Sequence, residues 1–134
     1  MILGFDPGRD KCGVAVMGVD RQIRFQEVIA ADQVSQTLVD LCNRFPISAL
    51  VIGNQTTSKQ WQQQLRQTCP QDLKVLTIDE RNSTVEARDR YWDLYPPKGL
   101  QRLIPQGMRL PPRPIDDIVA VILIERYFNQ LVSP

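Results

Sequence analysis

Residues 2–16 read ILGFDPGRDKCGVAV and decide the predicted fold. Ile2 to Asp6 is a short apolar run that ends in an acid, which is typical of a buried strand. Pro7 and Gly8 then predict a turn, and the small, β-prone residues from Cys12 to Gly18 predict a second strand. The chain therefore opens with two strands joined by a turn, and an acidic side chain stands where the first strand ends.

The rest of the chain predicts one more strand and then alternating helices and strands. A third strand is expected over Ile23–Ile29, so the chain starts with an antiparallel meander. The later elements follow in this order: a helix with Val34, Leu38, Leu41, Cys42 and Phe45 at helical spacing, a strand over 49–52, a helix over 58–69, a strand over 73–78, a helix from about Thr84, and a terminal helix over the apolar run 118–124. This order predicts an α/β fold.

Helix ends are predicted from capping residues and prolines. Asp32 is expected to cap the first helix and Pro46 to end it. The sequence Ser83-Thr84-Val85-Glu86 fits a capping box, and Pro96-Pro97 should end the helix that follows. Pro114 and the adjacent acids favour the start of the terminal helix. The helix from Thr84 is expected to present three apolar side chains on one side: Val85, Trp92 and Tyr95.

Residues 96–114 form a Pro-rich segment, which holds six of the ten prolines of the chain. It also carries four cations and two glycines, and it predicts a long loop. A loop of this length is usually functional or disordered. Two interpretations stay open, a loop that faces nucleic acid and a mobile linker.

Composition places the chain among compact soluble proteins. It has 134 residues, of which 43% are hydrophobic and 23% charged, so a single domain over residues 1–134 is expected. The first residues show neither a basic leader nor a long apolar run, so we expect no secretory signal, no membrane span and a cytoplasmic location.

The usage of histidine and cysteine excludes several kinds of site. Histidine is absent, which removes Ser-His-Asp and Cys-His catalysis and histidine metal ligands. Cys12, Cys42 and Cys69 are widely spaced without a Cys-x-x-Cys pair, which argues against a zinc knuckle or a disulfide framework. We expect them to be small buried side chains.

Three acids stand where predicted elements begin or end: Asp6, Glu80 and Asp116. Carboxylates from distant parts of a chain can converge in the fold, and hard oxygen ligands of this kind hold Mg²⁺ or Mn²⁺. The leading hypothesis is therefore a metal-dependent phosphodiester chemistry. Simpler interpretations remain, because Asp6 before Pro-Gly suits a turn, and Asp116 and Asp117 suit a helix cap.

Positive charge is concentrated between Arg81 and Arg113 although the formal net charge is only +1. Residues 81–113 contain three acids and seven basic residues: Arg81, Arg88, Arg90, Lys98, Arg102, Arg109 and Arg113. A basic arm beside an acidic site suits a polyphosphate backbone, because cations neutralise phosphates while carboxylates hold the metal. A solvated face is the alternative. Arg9 and Lys11, in the first turn, are further candidates for phosphate contact, with solvated charges as the alternative. Arg81 is either a phosphate contact or a partner of Glu80 or Glu86.

The sequence segments around the three acids resemble motifs of one protein family. Gly4-Phe5-Asp6-Pro7-Gly8 with Gly13-Val14-Ala15-Val16 resembles the first motif of the YqgF (RuvX) and RuvC-like proteins, which are members of the ribonuclease H-like superfamily. Asp79-Glu80-Arg81 with the residues 83–87 looks like the second YqgF motif, and Ile115-Asp116-Asp117 with 120–122 looks like the third. The resemblance covers nearly the whole chain, in the family's order.

This resemblance implies a ribonuclease H-like fold with a five-stranded mixed sheet, three antiparallel strands followed by two parallel ones, flanked by helices. It implies Asp6, Glu80 and Asp116 as catalytic ligands of Mg²⁺ or Mn²⁺, with Asp117 as a further ligand. The implied activity is a nuclease acting on structured nucleic acid, either Holliday junctions or precursor ribosomal RNA, as a monomer or homodimer. The second and third motifs look more like YqgF than RuvC and slightly favour ribosomal RNA processing.

The chain departs from the family pattern in two motifs, and its Pro-rich loop before Asp116 is longer than expected for the family. Lys11-Cys12 replaces the arginine that commonly precedes an isoleucine-glycine, and Gly53-Asn54-Gln55 stands where the family has Gly-x-Pro. Thr56 and Thr57 are candidates to orient a phosphate. Two other functional classes are weighed as well: a non-catalytic nucleic-acid or protein-binding module, and an actin-like ATPase, which would need two such domains around its nucleotide.

Overall fold

The computed structural model describes residues 1–54, 58–70 and 72–132. It contains a five-stranded mixed sheet in the order β3-β2-β1-β4-β5. The strands are β1 (Ile2–Asp6), β2 (Lys11–Met17), β3 (Ile23–Ala30), β4 (Ala49–Gly53) and β5 (Lys74–Ile78). The first three pair antiparallel and the last two run parallel to β1, which confirms the predicted sheet.

Among the described residues, four helices cover the sheet: α1 (Val34–Arg44), α2 (Ser58–Thr68), α3 (Ser83–Leu94) and α4 (Asp116–Val132). Three short 3₁₀ turns add to them, at Ala31–Gln33, Gly99–Leu103 and Gln106–Met108. In the part of the chain that the structure describes, no helix is long and apolar enough to cross a membrane.

Alternating side chains of the central strands form a separate core on each face of the sheet. Ile2 and Ala15 belong to the core under α3 and α4. Leu3, Phe5 and Val14 belong to the core under α1 and α2. Successive residues of a strand point to opposite faces, so β1, which is covered on both sides, reads as a continuous apolar run.

Helix α4 lies against the sheet at two glycines. A Cβ atom on Gly4 would overlap the carbonyl oxygen of Ala120, and one on Gly13 would overlap the backbone of Asp116. Only glycine allows the helix backbone to come this close to the strands. The first turn of α4 is thereby pressed onto β2, beside the end of β1.

The helix-capping predictions were wrong at two places. Asp32 lies in the 3₁₀ turn, and α1 starts after Gln33, whose side chain makes no capping hydrogen bond. No capping box forms at α3, because Ser83 is already helical and Asn82 stands at the cap in a left-handed conformation with φ 61°. Glu86 instead pairs with Arg126 of α4 at 2.9 Å, so a tertiary contact replaces the local one.

The predicted apolar side of α3 also needs correction. Trp92 is buried, but Val85 and Tyr95 are exposed, because Val85 lies in a groove at the start of the helix and Tyr95 lies beyond its end. The terminal helix runs on from Ile124 to Val132. The Pro-rich segment holds two 3₁₀ turns. Thr56 and Thr57 lie outside the described residues.

Candidate active site

The three predicted acids stand at one edge of the sheet. Asp6 is the last residue of β1 and pairs with Gly13 of β2. Glu80 follows β5 by two residues, and Asp116 is the first residue of α4. Since β1, β4 and β5 are parallel, their carboxyl ends meet at this edge, which is where open α/β sheets commonly bind ligands.

The pKa of Asp6 reflects how close these carboxyl groups lie to one another. Burial, the negative charge of Asp116, a hydrogen bond with Asp116 and the charge of Glu80 together raise the pKa of Asp6 from 3.8 to about 8. A hydrogen bond between two carboxyl groups requires a proton on one of them. Three ionised carboxylates at this partly buried site would therefore repel one another strongly unless a proton or a cation is bound between them.

Glu80 is fixed by the backbone of β4. Its side chain is buried, and a Cβ atom on Gly53 would overlap its carboxylate, so the absence of a side chain at Gly53 makes room for it. This contact explains why a glycine ends β4. The Gly53-Asn54 departure from the family pattern leaves this space intact.

The donor set suits a hard divalent cation, although the carboxylates are not yet gathered around one position. Asp6, Glu80 and Asp116 offer oxygen atoms only, which is the chemistry that Mg²⁺ and Mn²⁺ prefer. Within residues 1–54, 58–70 and 72–132, no three such side chains are close enough to hold a metal ion as they stand. A cation would replace the proton that Asp6 and Asp116 share.

The hydrogen bonds described for Asp117 join it to residues other than Asp6, Glu80 and Asp116. Its buried carboxylate accepts hydrogen bonds from Gln26 of β3 at 2.9 Å and from Arg113 at 3.0 Å. Burial lowers the pKa of Arg113, but its hydrogen bond and ion pair with Asp117 outweigh this effect and raise it. These contacts hold the first turn of α4 to the edge strand and to the end of the Pro-rich segment.

The predicted basic residues fall into two groups. Arg9 is exposed in the turn after Asp6, Lys11 is the exposed first residue of β2 and not part of the turn as predicted, and exposed Arg81 follows Glu80 directly. Lys98 and Arg102 are exposed on the Pro-rich segment, whereas Arg109 donates to the carbonyl oxygens of Gln101 and Ile104, and Arg113 is paired with Asp117. The first group adjoins the acids, and the second group lies near the end of α3.

A groove of about 390 Å³ opens beside Glu80, and Asp6 and Asp116 lie outside its lining. It is lined by Asn54, Asp79, Glu80, Arg81, Asn82, Ser83, Thr84 and Val85. Its floor is the first turn of α3, whose backbone N–H groups favour anions.

Sequence analysis missed the contacts that support the acids. The pairing of Gln26 with Asp117 joins residues 91 positions apart, and nothing in the local pattern of β3 indicates it. The close approaches at Gly13 and Gly53 leave a weak signal, because each glycine interrupts or ends an apolar run.

Two solved structures share this fold. The structure of Thermus thermophilus RuvC matches with a TM-score of 0.54 at 14% identity, covering 98% of this chain and 96% of that chain. The Holliday junction resolvase of fowlpox virus matches with a TM-score of 0.53 at 14% identity, covering 96% of this chain and 98% of that chain. The chain therefore has the fold of these two structures, which is the ribonuclease H-like fold expected from the motifs.

The family can be stated more closely. A family model described as "RuvX: Holliday junction resolvase" matches residues 1–130, and the chain belongs to this family. No curated protein matches the chain significantly in sequence. The resemblance found in the three motifs is confirmed, and family and fold support a nuclease role.

Proposed function

We propose that the chain is a divalent-metal-dependent endonuclease that hydrolyses phosphodiester bonds in four-way DNA junctions. The observation that carries this proposal is the mutual approach of Asp6, Asp116 and Glu80, three carboxylates from distant segments at one sheet edge. The family and the fowlpox virus structure are described as Holliday junction resolvases, which favours junction DNA over the precursor ribosomal RNA that the motifs slightly favoured.

Each acid has a definite task in this proposal. Asp6, Glu80 and Asp116 would hold Mg²⁺ or Mn²⁺, and the bound ion supplies an activated water and stabilises the leaving oxygen. Gly53 leaves the space that orients Glu80. Asp117 acts as a positioning residue, because its bonds to Gln26 and Arg113 fix the turn of α4 that carries Asp116.

Two further features belong to the proposal. Matched nicking of two strands suits a symmetric pair of sites, so we propose a homodimer on the junction, with a monomer as the alternative. The expected location is the cytoplasm. Arg9, Lys11 and Arg81 would contact the phosphates next to the scissile bond, because they flank Asp6 and Glu80 in the chain.

A cleavage panel tests the proposal. The wild-type protein is incubated with a four-way DNA junction, single-stranded RNA or precursor ribosomal RNA, each with Mg²⁺, Mn²⁺ or EDTA. We expect metal-dependent cleavage of the junction. Asp6→Asn should lose more than about 100-fold in rate, since changing even a partner of a metal ligand costs roughly 10- to 100-fold. The matched control is Asp10→Asn, an exposed acid of the same turn, which should cleave normally.

One alternative function is favoured by a specific observation. The carboxylates within the described ranges do not form a ready metal site, as a non-catalytic nucleic-acid or protein-binding module would allow. Junction binding without cleavage in either metal would establish this alternative. Cleavage of ribosomal RNA alone, abolished by Asp6→Asn, would instead move the substrate from DNA to RNA.

A further inference from the structure

A second groove lies beside the end of α3 and is separate from the groove at Glu80. It has a volume of about 380 Å³, within the usual range for small-ligand pockets. We name it the aromatic groove, and its lining is Tyr91, Trp92, Leu94, Tyr95, Pro96, Lys98, Gln101 and Pro112. The proposed chemistry at the acids makes no use of it.

Aromatic rings form its wall in an arrangement suited to stacking. The rings of Tyr91 and Tyr95 have centroids 5.0 Å apart and are tilted by 38°. Trp92 meets Tyr91 edge to face at 5.1 Å. Tyr95 is 52% exposed, so one ring of the wall is open to an incoming planar group. Every nucleobase has a π-face that such rings can stack on.

One polar group in this wall lacks a partner. The indole N–H of Trp92 is buried and has no acceptor within the ranges that the structure describes. A buried donor without a partner costs free energy, so the packing around Trp92 is not fully satisfied. Gln101, also in the lining, adds an amide that can both donate and accept.

Charge around the groove favours nucleic acid over a protein partner. Residues 94–115 contain four cations and no acid: Lys98, Arg102, Arg109 and Arg113. Two of these cations lie over the groove's rings, since Arg109 is 5.7 Å from the Trp92 ring and Arg113 is 5.5 Å from the Tyr91 ring. Lys98 and Arg102 remain exposed and can neutralise phosphates.

The groove is close to the acids along the chain. Arg113 contacts the groove's rings and also binds Asp117, the neighbour of Asp116. Pro112 in the lining is four residues from Asp116, a reach of at most roughly 14 Å. That is about four base-pair steps of a duplex at 3.4 Å each. One nucleic-acid strand can therefore contact both places.

We propose that the aromatic groove binds an unpaired nucleobase of the nucleic acid that the protein acts on, with Tyr95 as the stacking platform and Lys98 at the adjacent phosphate. This inference rests on the proposed function only in assigning the base to the strand that is cut. It adds a requirement for an unstacked base near the cleavage site.

The test compares two oligonucleotides and three variants in EDTA, so that binding does not depend on the acids. The probes are a labelled single-stranded DNA and an abasic strand of equal length. Tyr95→Ala should weaken binding of the intact strand by roughly five- to 150-fold, the usual value of one stacked base, and should leave binding of the abasic strand unchanged. Tyr95→Phe should bind normally, because it keeps the ring.

Leu103→Ala is the matched control. Leu103 is a large exposed side chain of the same segment, but it lies outside the groove lining, so its loss should not change binding. Equal losses for Tyr95→Ala on both strands, or no loss on either, would overturn the inference. A loss for Leu103→Ala without one for Tyr95→Ala would also overturn it and would favour a protein partner on the apolar surface.

Tryptophan fluorescence gives a second readout that does not depend on Tyr95 variants. The chain has two tryptophans, and Trp61 lies in the other core against Phe5. In Trp61→Phe the emission therefore reports Trp92 alone, and the intact strand should change it while the abasic strand should not. No change with either strand counts against the inference.

The two proposals fail separately. Base-dependent binding by a protein that never cleaves would remove the nuclease proposal and keep the groove. If the protein cleaves junction DNA and Tyr95→Ala binds the intact strand as wild type does, the proposal for the aromatic groove is wrong and the nuclease proposal stands.

Discussion

At the scale of single residues, Asp6 determines the chemistry of the site. Its carboxyl group is half-buried beside Asp116 and Glu80, and its pKa rises to about 8 for that reason. Sequence analysis could find this residue, because the motif around it stands at a strand end. It could not find the partners of Asp117, because Gln26 and Arg113 reach it only through the pairing of β3 and the path of the Pro-rich segment.

The raised pKa of Asp6 predicts a pH-dependent stability in the absence of metal. The native protein keeps this proton up to about pH 8, whereas the unfolded chain loses it near the ordinary pKa of 3.8. Between these values the native state binds more protons, so the free energy of unfolding falls as the pH rises. This loss of stability is absent below the ordinary pKa of 3.8 and complete above the raised pKa of about 8.

Thermal unfolding in EDTA between about pH 5 and about pH 8 measures this effect. The midpoint of wild-type protein should fall across the range more steeply than that of Asp6→Asn, whose amide does not titrate. Parallel curves for the two proteins would show that Asp6 is ionised in the folded state.

At the scale of elements, the contact of α4 with the sheet positions Asp116. The terminal helix was predicted from Pro114 and the adjacent acids, and it begins at Asp116. Its close approach at Gly13 is a property of the packed helix and strand together, so no local pattern predicts it. The capping prediction at α3 failed because the helix already includes Ser83 and has Asn82 at its cap, while Glu86 pairs with Arg126 of α4.

A methyl group at Gly13 should therefore disturb both stability and the site. In Gly13→Ala the new Cβ would meet the backbone of Asp116, which cannot move aside as a side chain could. Overpacking of this kind costs typically about 1–3 kcal/mol, which urea unfolding measures. Cleavage should fall by more than the loss of folded protein explains, because Asp116 is displaced.

Gly107→Ala is the control for this substitution. A Cβ at Gly107 has nothing within 4 Å, so the free energy of unfolding should stay the same or rise slightly. Equal effects of the two substitutions would contradict the close packing of α4 on β2.

At the scale of the whole molecule, sequence reasoning predicted the architecture well. Apolar periodicity and turn residues placed all five strands and the four helices, because strands buried on both faces and amphipathic helices have strong patterns. Parallel topology then accounts for how Asp6 and Glu80, 74 positions apart, come to one edge. The side-chain contacts around them depend on tertiary packing, which local sequence does not encode.

The central claim is that Asp6, Glu80 and Asp116 jointly bind a divalent ion. A crystal soaked in Mn²⁺ tests it most directly, because anomalous scattering locates the ion without reference to activity. We predict an anomalous peak with oxygen atoms of all three carboxylates about 2.0–2.2 Å away, the spacing of hard divalent ions of this size. A peak elsewhere, or a fully loaded protein with none between these three side chains, would contradict the account.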